Sequence, residues 1–297
     1  MRILKISLLM MALLFSTSSI AQETATVLHI LYTQNNNGEL VNCHCPSNPL
    51  GGFEKRSTFF AQWLGEYPNT LIFDSGDFLT FDGGEDVDAK VIELMEGLHY
   101  TAVNIGDQEF SNGIRFFNTY LKPGKLPLLS SNLMIDGEEK PAFKRYQSLS
   151  VAGIRIVITG VLGPENVQYF TKSMADSKVW SIDPEKALRI VHDHETAVKK
   201  ADVHILLSNL GFDKDLELAG KLSFLDIIIG GHSQHKFKHA AEQSGTLIVQ
   251  CGKNGQYVGH LEITMVNGQI TGHKHELIPM GVDIPDDQNI LKIIQEM

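Results

Sequence analysis

Five short hydrophobic stretches of this chain each run straight into a polar cluster. The stretches are residues 26–33, 70–73, 101–105, 203–207 and 225–229. The clusters are Gln34-Asn35-Asn36-Asn37-Gly38, Asp74-Ser75-Gly76-Asp77, Gly106-Asp107-Gln108-Glu109, Ser208-Asn209-Leu210-Gly211 and Gly230-Gly231-His232-Ser233-Gln234. Near-continuous apolar runs of this length read as strands covered on both faces. Amphipathic stretches at 53–64, 85–98, 112–121, 184–200 and 213–222 alternate with them and predict helices. Residues 126–129 and 155–161 add strands. After Gly231 the pattern changes to strands at 246–250, 258–265 and 269–277, with turns at 252–255 and Asn267-Gly268. Pro285-Asp286-Asp287 reads as the start of a short final helix. The pattern predicts an α/β fold with mixed sheets inside and helices outside. In open α/β sheets, ligands bind just beyond the carboxyl ends of strands, so one pocket is expected to collect all five clusters.

The first 21 residues read as a secretory signal. Arg2 and Lys5 precede an apolar run, and Ser19-Ile20-Ala21 supplies small residues for cleavage before Gln22. The run is too short for a membrane span, and no cysteine marks a lipid anchor. A secreted, periplasmic protein without a membrane anchor is expected, with residues 22–297 as a single domain. Removing residues 1–21 takes the formal net charge from −10 to −12. So acidic a protein is a poor match for nucleic acid. With 43% hydrophobic residues the chain can bury a large core.

Cys43, Cys45 and Cys251 are an odd number for an exported chain, which is not a disulfide framework. Three readings of Asn42-Cys43-His44-Cys45-Pro46 stay open. Cys43 and Cys45 form a strained, easily reduced pair with a catalytic redox role. Alternatively, Cys43, His44 and Cys45 hold a soft metal. In the third reading a structural disulfide, such as Cys45 to Cys251, pins the loop. If Cys43 is reactive, Lys55, Arg56 and a helix N-terminus are placed to stabilise its thiolate. His192 and His194 read as a solvated helix face, and His29 and His204 as satisfied core residues. His273 and His275 read as facing solvent.

The polar clusters resemble the motifs of the calcineurin-like metallophosphoesterases, in the 5'-nucleotidase/UDP-sugar hydrolase (UshA-like) branch. The likeness spans roughly residues 27–294 and implies a four-layer α/β/β/α sandwich. The family's T-N-D-x-H-G is similar to Thr33-Gln34-Asn35-Asn36-Asn37-Gly38, with Asn35 and Asn37 at both metal-ligand positions. G-G-x-x-R-R matches Gly51-Gly52-Phe53-Glu54-Lys55-Arg56, and D-x-G-D, whose last Asp bridges two metals, is Asp74-Ser75-Gly76-Asp77. G-N-H-E-F becomes Gly106-Asp107-Gln108-Glu109-Phe110. That puts Asp107 at a ligand position and Gln108 at the position of a transition-state-stabilising His. Asn209 stands at a further ligand, and in G-H-S-H the chain keeps His232 and has Gln234 at the second His. His235, one residue on, is a candidate to replace it, though the position reads more readily as no ligand at all.

The resemblance therefore implies a degenerate two-metal site. At most one divalent cation is expected, at Asp77, Asp107 and His232, in a pocket lined by Asn35, Asn37, Gln108, Asn209 and Gln234. Family nucleotidases bind the nucleoside largely through a C-terminal domain that this chain is expected to lack. The Cys43–Cys45 loop is similar to that of UshA-like (seleno)proteins, which implies redox chemistry there. The leading expectation is thus a thiol-redox or binding role at the Cys-His-Cys loop, with a redox partner or a small polar ligand. Its alternative is a metal-dependent phosphoester hydrolase on a reduced site.

Overall fold

The computed structural model describes residues 25–43, 45–46, 49–135, 143–171 and 179–296. The predicted signal segment and His44 lie outside the described residues. The strands are β1 Thr26–Thr33, β2 Leu71–Asp74, β3 Ala102–Asn104, β4 Leu128–Leu129, β5 Leu133–Ile135, β6 Tyr146–Val151 and β7 Ile154–Leu162. They continue as β8 Val179–Ser181, β9 Val203–Asn209, β10 Ile227–Gly230, β11 Ala241–Gln243, β12 Thr246–Val249, β13 Tyr257–Val266 and β14 Gln269–Pro279. The helices are α1 Phe53–Glu66, α2 Glu85–Glu96, α3 Gly113–Phe116, α4 Pro164–Thr171, α5 Pro184–His194, α6 Thr196–Lys199, α7 Phe212–Lys221 and α8 Gln288–Gln295.

Two six-stranded sheets run β14-β13-β1-β2-β3-β4 and β11-β12-β10-β9-β7-β6. In the first, β1 to β4 are parallel and β13 joins β1 antiparallel. In the second, β12, β10, β9 and β7 are parallel, with β11 and β6 added antiparallel at the edges. Alternation along the strands builds the layers. Leu28, Ile30 and Tyr32 of β1 pack against Ile205 and Leu207 of β9 and Ile227 and Ile229 of β10 between the sheets. The neighbours Leu31, Leu206 and Ile228 face the opposite way, into the helical layers. The result is the expected α/β/β/α sandwich.

Some elements differ from the sequence pattern. The single helix expected over 112–121 is broken into a 3₁₀ turn at Gln108–Phe110, α3, and a π-turn at Phe117–Leu121. Gly113 starts α3 with φ +79°, a backbone that a helix cannot run through. The helix expected over 184–200 stops at His194, because Glu195 is extended (φ −101°, ψ 112°) before α6. The pattern also missed β5, β6, β8 and β11. The β6–β7 hairpin turns on Ala152 (φ 50°) and Gly153 (φ 84°), and alanine is not a residue that announces such a turn. The final helix does begin as expected, with the Asp287 side chain accepting from Asn289 N–H at 2.9 Å.

Candidate functional site

The carboxyl ends of the two sheets meet, and the meeting is stitched by side chains. Ser75 Oγ donates to Gly230 O at 3.4 Å, and Asn104 Nδ2 donates to Val161 O at 2.9 Å. Between these ends stand Asp77, Asp107 and His232, whose ligand atoms lie within 4.8 Å of one another. His232 Nδ1 is 3.1 Å from Asp107 Oδ1 and 3.7 Å from Asp77 Oδ2. Asn35 Nδ2 donates to Asp77 Oδ2 at 3.0 Å, and Gln108 N–H donates to Asp77 Oδ1 at 3.4 Å. Asn209 approaches the same group, its Nδ2 lying 3.5 Å from Ser75 O.

The local backbone is unusual here. Asn35 (φ 46°), Asn37 (φ 54°), Asp77 (φ 60°), His232 (φ 63°) and Gln234 (φ 56°) all occupy the left-handed region. Non-glycine residues gather there where surrounding structure over-determines them, often at functional sites. Gly106 must be glycine, because a β-carbon would sit 2.3 Å from Asp77 Oδ1 and 2.8 Å from Asn209 Nδ2.

Asn37 and Gln234 take different places from the rest. Asn37 Nδ2 donates to Asn254 Oδ1 at 2.7 Å, and its Oδ1 accepts from Gln108 Nε2 at 3.2 Å. Asn37 is thereby spent on its neighbours. Gln234 shares the turn of His232 and makes none of these bonds. His235 lies outside the cluster, stacked 5.6 Å from Phe237 and tilted against Phe212 at 5.7 Å.

Several residues support the site in ways the sequence did not show. Glu109, buried beneath the cluster, accepts from the N–H groups of Gly106 (2.6 Å), Asp77 (3.1 Å), Phe78 (2.9 Å) and Leu79 (3.3 Å). Burial and then the nearby Asp77 push its pKa well up, while the amide donors pull it down. Asp74 accepts from Thr33 Oγ1 at 2.5 Å and from Gly76 N–H at 2.8 Å, and burial lifts it to about 6. Arg56 is fully buried, donating to Asn36 Oδ1 and, at 3.2 Å, to Tyr100 OH. Gln250 Oε1 accepts from Ser233 Oγ (3.1 Å) and His235 N–H (2.9 Å), which pins the His232 turn. Only a signal from pairwise geometry could have found these roles.

The cluster sets two carboxyl groups against one imidazole. Asp107 and then Asp77 push the His232 pKa up to about 10, so the ring carries a proton at neutral pH. Asp107 gains from that cation, yet its own pKa is raised, because burial and repulsion from Asp77 outweigh the gain. A cavity of about 870 Å³ between Lys90, Glu93 and Tyr120 shares no residue with the cluster.

This arrangement has relatives. A protein named 5NUC from Lutzomyia longipalpis is 26% identical over 95% of this chain and 55% of its own length. UshA of Yersinia enterocolitica is 28% identical over 62% of this chain and 38% of its own. The crystal structure of calcineurin-like phosphoesterase YfkN from Bacillus subtilis superposes with a TM-score of 0.76 at 18% identity, over 92% of this chain and 97% of that one. The chain has the fold of the calcineurin-like phosphoesterases, and its sequence is similar to 5'-nucleotidases and UshA. No protein-family profile matches it. The chain spans about half the length of the curated relatives it matches, 47% in the case of human 5'-nucleotidase.

Within this phosphoesterase fold, the residues present suit one cation and not two. Asp77, Asp107 and His232 converge as donors. Asn37, by contrast, is committed to Asn254 and Gln108, and Asn35 gives its N–H to Asp77.

The cysteine expectations need correction. Cys251 is a buried free thiol, its proton held to about 12 by burial, and Cys45 is free and exposed, so no Cys45–Cys251 bridge forms. Cys43 is exposed and its pKa is lowered, first by the Cys45 thiol and then by the Leu50 N–H, which lies 3.4 Å from its sulfur. The two expected cations are engaged elsewhere. Lys55 Nζ is bound to Asp286 (2.7 Å) and Ile284 O (2.9 Å), and Arg56 is buried against Asn36. The soft-metal reading depends on His44, which lies outside the described residues.

Among other histidines, His204 is neutral, its pKa lowered to about 3 by burial, and bonds Thr159 Oγ1 at 3.1 Å. His192 is less solvated than expected, stacked 4.1 Å from Phe224. His275 does not face solvent alone; its Nε2 meets Tyr32 OH at 2.7 Å.

Proposed function

We propose that this chain is an exported, periplasmic, cation-dependent phosphoester hydrolase that works on a reduced site at Asp77, Asp107 and His232. The supporting observation is the convergence of these three side chains at the joined strand ends of a phosphoesterase fold. The curated 5'-nucleotidase and UshA relatives support the same reaction class. The apolar run at residues 6–15 supports export. Among the described residues, no helix is long and apolar enough to cross a membrane. A bound cation supplies Lewis acidity to a phosphoryl oxygen and lowers the pKa of water. Asp77 and Asp107 would hold it; Asp77 is fixed in place by Asn35, Gln108 and Glu109, and Asp107 is paired with His232. Gln108 can donate an amide N–H to a phosphoryl oxygen but cannot protonate a leaving group. Esters with acidic leaving groups, such as aryl phosphates, are therefore the better substrates.

Loss of electrostatic stabilisation costs about 100-fold or more per group. Slow turnover is expected on bis-p-nitrophenyl phosphate with added divalent cation, and slower turnover on AMP. The assay compares the mature protein with its Asp77→Asn variant. Turnover that does not exceed the variant's with any cation would remove the hydrolase reading.

A second reading has its own observation: the exposed Cys43 thiol acidified by its neighbours. Here Cys43 is the attacking thiol and Cys45, whose pKa is raised first by its bond to Cys43, the resolving one. Iodoacetamide labelling of the reduced protein against pH should show Cys43 reacting at lower pH than Cys45. Cys45→Ser should move the Cys43 profile upward. Equal profiles for the two thiols would leave the loop with no redox role.

A further inference from the structure

Three amide carbonyl oxygens around the carboxylate pair have nothing to accept. Asn35 Oδ1, Asn209 Oδ1 and Gln108 Oε1 are sealed from solvent and take no hydrogen bond among the described residues. Asn35 and Asn209 are completely buried, and Gln108 is 7% exposed. The remaining atoms of these residues tie each of them to the cluster. Asn35 Nδ2 reaches Asp77 Oδ2 at 3.0 Å, and Gln108 N reaches Asp77 Oδ1 at 3.4 Å. Asn209 Nδ2 and Asp77 Oδ1 crowd the same side of Gly106. Buried carbonyls are nearly always matched by a donor, a water or an ion. A cluster of two carboxyl groups and three unmatched amide oxygens, with His232 as its one basic side chain, is rich in acceptors.

We propose that this cluster is a single hard-cation site of the calcium or magnesium class, with the amide oxygens of Asn35 and Asn209 as ligands beside Asp77 and Asp107. The inference rests on the cation reading given above, but not on hydrolysis. Its chemical basis is donor hardness. Carboxylate, amide carbonyl and water oxygens suit hard cations, whereas zinc and iron select imidazole and thiolate. Calcium takes roughly six to eight oxygens from carboxylates, Asn or Gln carbonyls and water, in flexible geometry. His232 is the single imidazole of the cluster, and no cysteine belongs to it. Asn35, Asp77 and His232 all sit in turns with left-handed backbone, not on regular helices or strands. Gln108 Oε1 is left to accept from a water held at the site.

The test is isothermal titration of the EDTA-stripped mature protein with calcium, magnesium, manganese and zinc chlorides, each repeated on Asp77→Asn. One equivalent of calcium or magnesium is expected, lost in Asp77→Asn. Asn35→Leu and Asn209→Leu should each weaken it by about tenfold or more, the usual scale for disturbing a metal's surroundings. Asn209→His should shift preference toward zinc or manganese, and circular dichroism confirms that each variant is folded. Asp77-dependent binding of zinc or manganese without calcium or magnesium would overturn the proposal, as would two equivalents of any cation. Calcium binding unchanged in both leucine variants would overturn the role of the amides. If no cation binds in an Asp77-dependent way, water fills the acceptors and both the proposal and the hydrolase reading fall. If calcium binds and no phosphoester turns over, the hydrolase reading alone falls.

Discussion

Replacing Glu109 by alanine is expected to destabilise the protein by about 4 kcal/mol, enough to threaten the fold. The Glu109 carboxylate is completely internal and takes four backbone N–H groups, from Gly106, Asp77, Phe78 and Leu79. Those amides come from two turns about 30 residues apart, which no helix or strand ladder can satisfy. Alanine leaves four buried donors unmatched, at a cost of roughly 1–3 kcal/mol for each that water cannot reach. Glu109→Gln keeps one accepting oxygen but points an NH₂ at the remaining donors, so it should fall between the two. Urea unfolding of the three proteins measures this. A loss below about 1 kcal/mol in Glu109→Ala would mean that water replaces the carboxylate and that the turn is not held by it.

The second large effect is on pH. In the cation-free protein, His232 is pushed up to about 10, chiefly by its bond to Asp107 and then by Asp77. The folded pKa lies above the unfolded value of 6.5, so the protonated ring favours the fold. That contribution is fully present below pH 6.5 and is lost as pH rises through about 10. The ring is 38% exposed, and solvent screens part of the effect. Thermal melting of the EDTA-stripped protein should therefore fall between pH 7 and pH 10.5, and His232→Gln should flatten the fall.

Cation binding has the opposite slope, because a ligating imidazole must be neutral. Apparent affinity should rise by up to about tenfold per pH unit across the same range if His232 ligates. Parallel melting curves for the protein and His232→Gln would show that the ring carries no such charge.

The two cations next to the Cys-His-Cys loop mark where sequence reasoning ran out. Lys55 and Arg56 follow the loop closely, and proximity in sequence suggested a thiolate partner. Lys55 instead pairs with Asp286, 231 residues on, and Arg56 is drawn inward to Asn36 and Tyr100. A long side chain has many rotamers, and its partner is set by whichever charge the fold leaves unmatched. Asn37 makes the same point: its amide is committed to Asn254, 217 residues away.

What the sequence determined by itself was the layer plan and the places where chemistry could occur. Strand β1 has the bounds its pattern predicts, because apolar runs covered on both faces depend little on context. The polar clusters fall at the ends of β1, β2, β3, β9 and β10, because a parallel sheet delivers its carboxyl ends to one edge. The motif resemblance had already grouped Asp77, Asp107 and His232, and the structure brings them together. Tertiary structure alone decided how the amides sit: it left the oxygens of Asn35 and Asn209 unmatched and spent Asn37 elsewhere. It also gave Glu109 its role, since a carboxylate adjacent to a motif becomes structural only when four amides from two turns point at it. Convergence of this kind depends on distances between residues far apart in the chain, and local pattern carries no record of those distances.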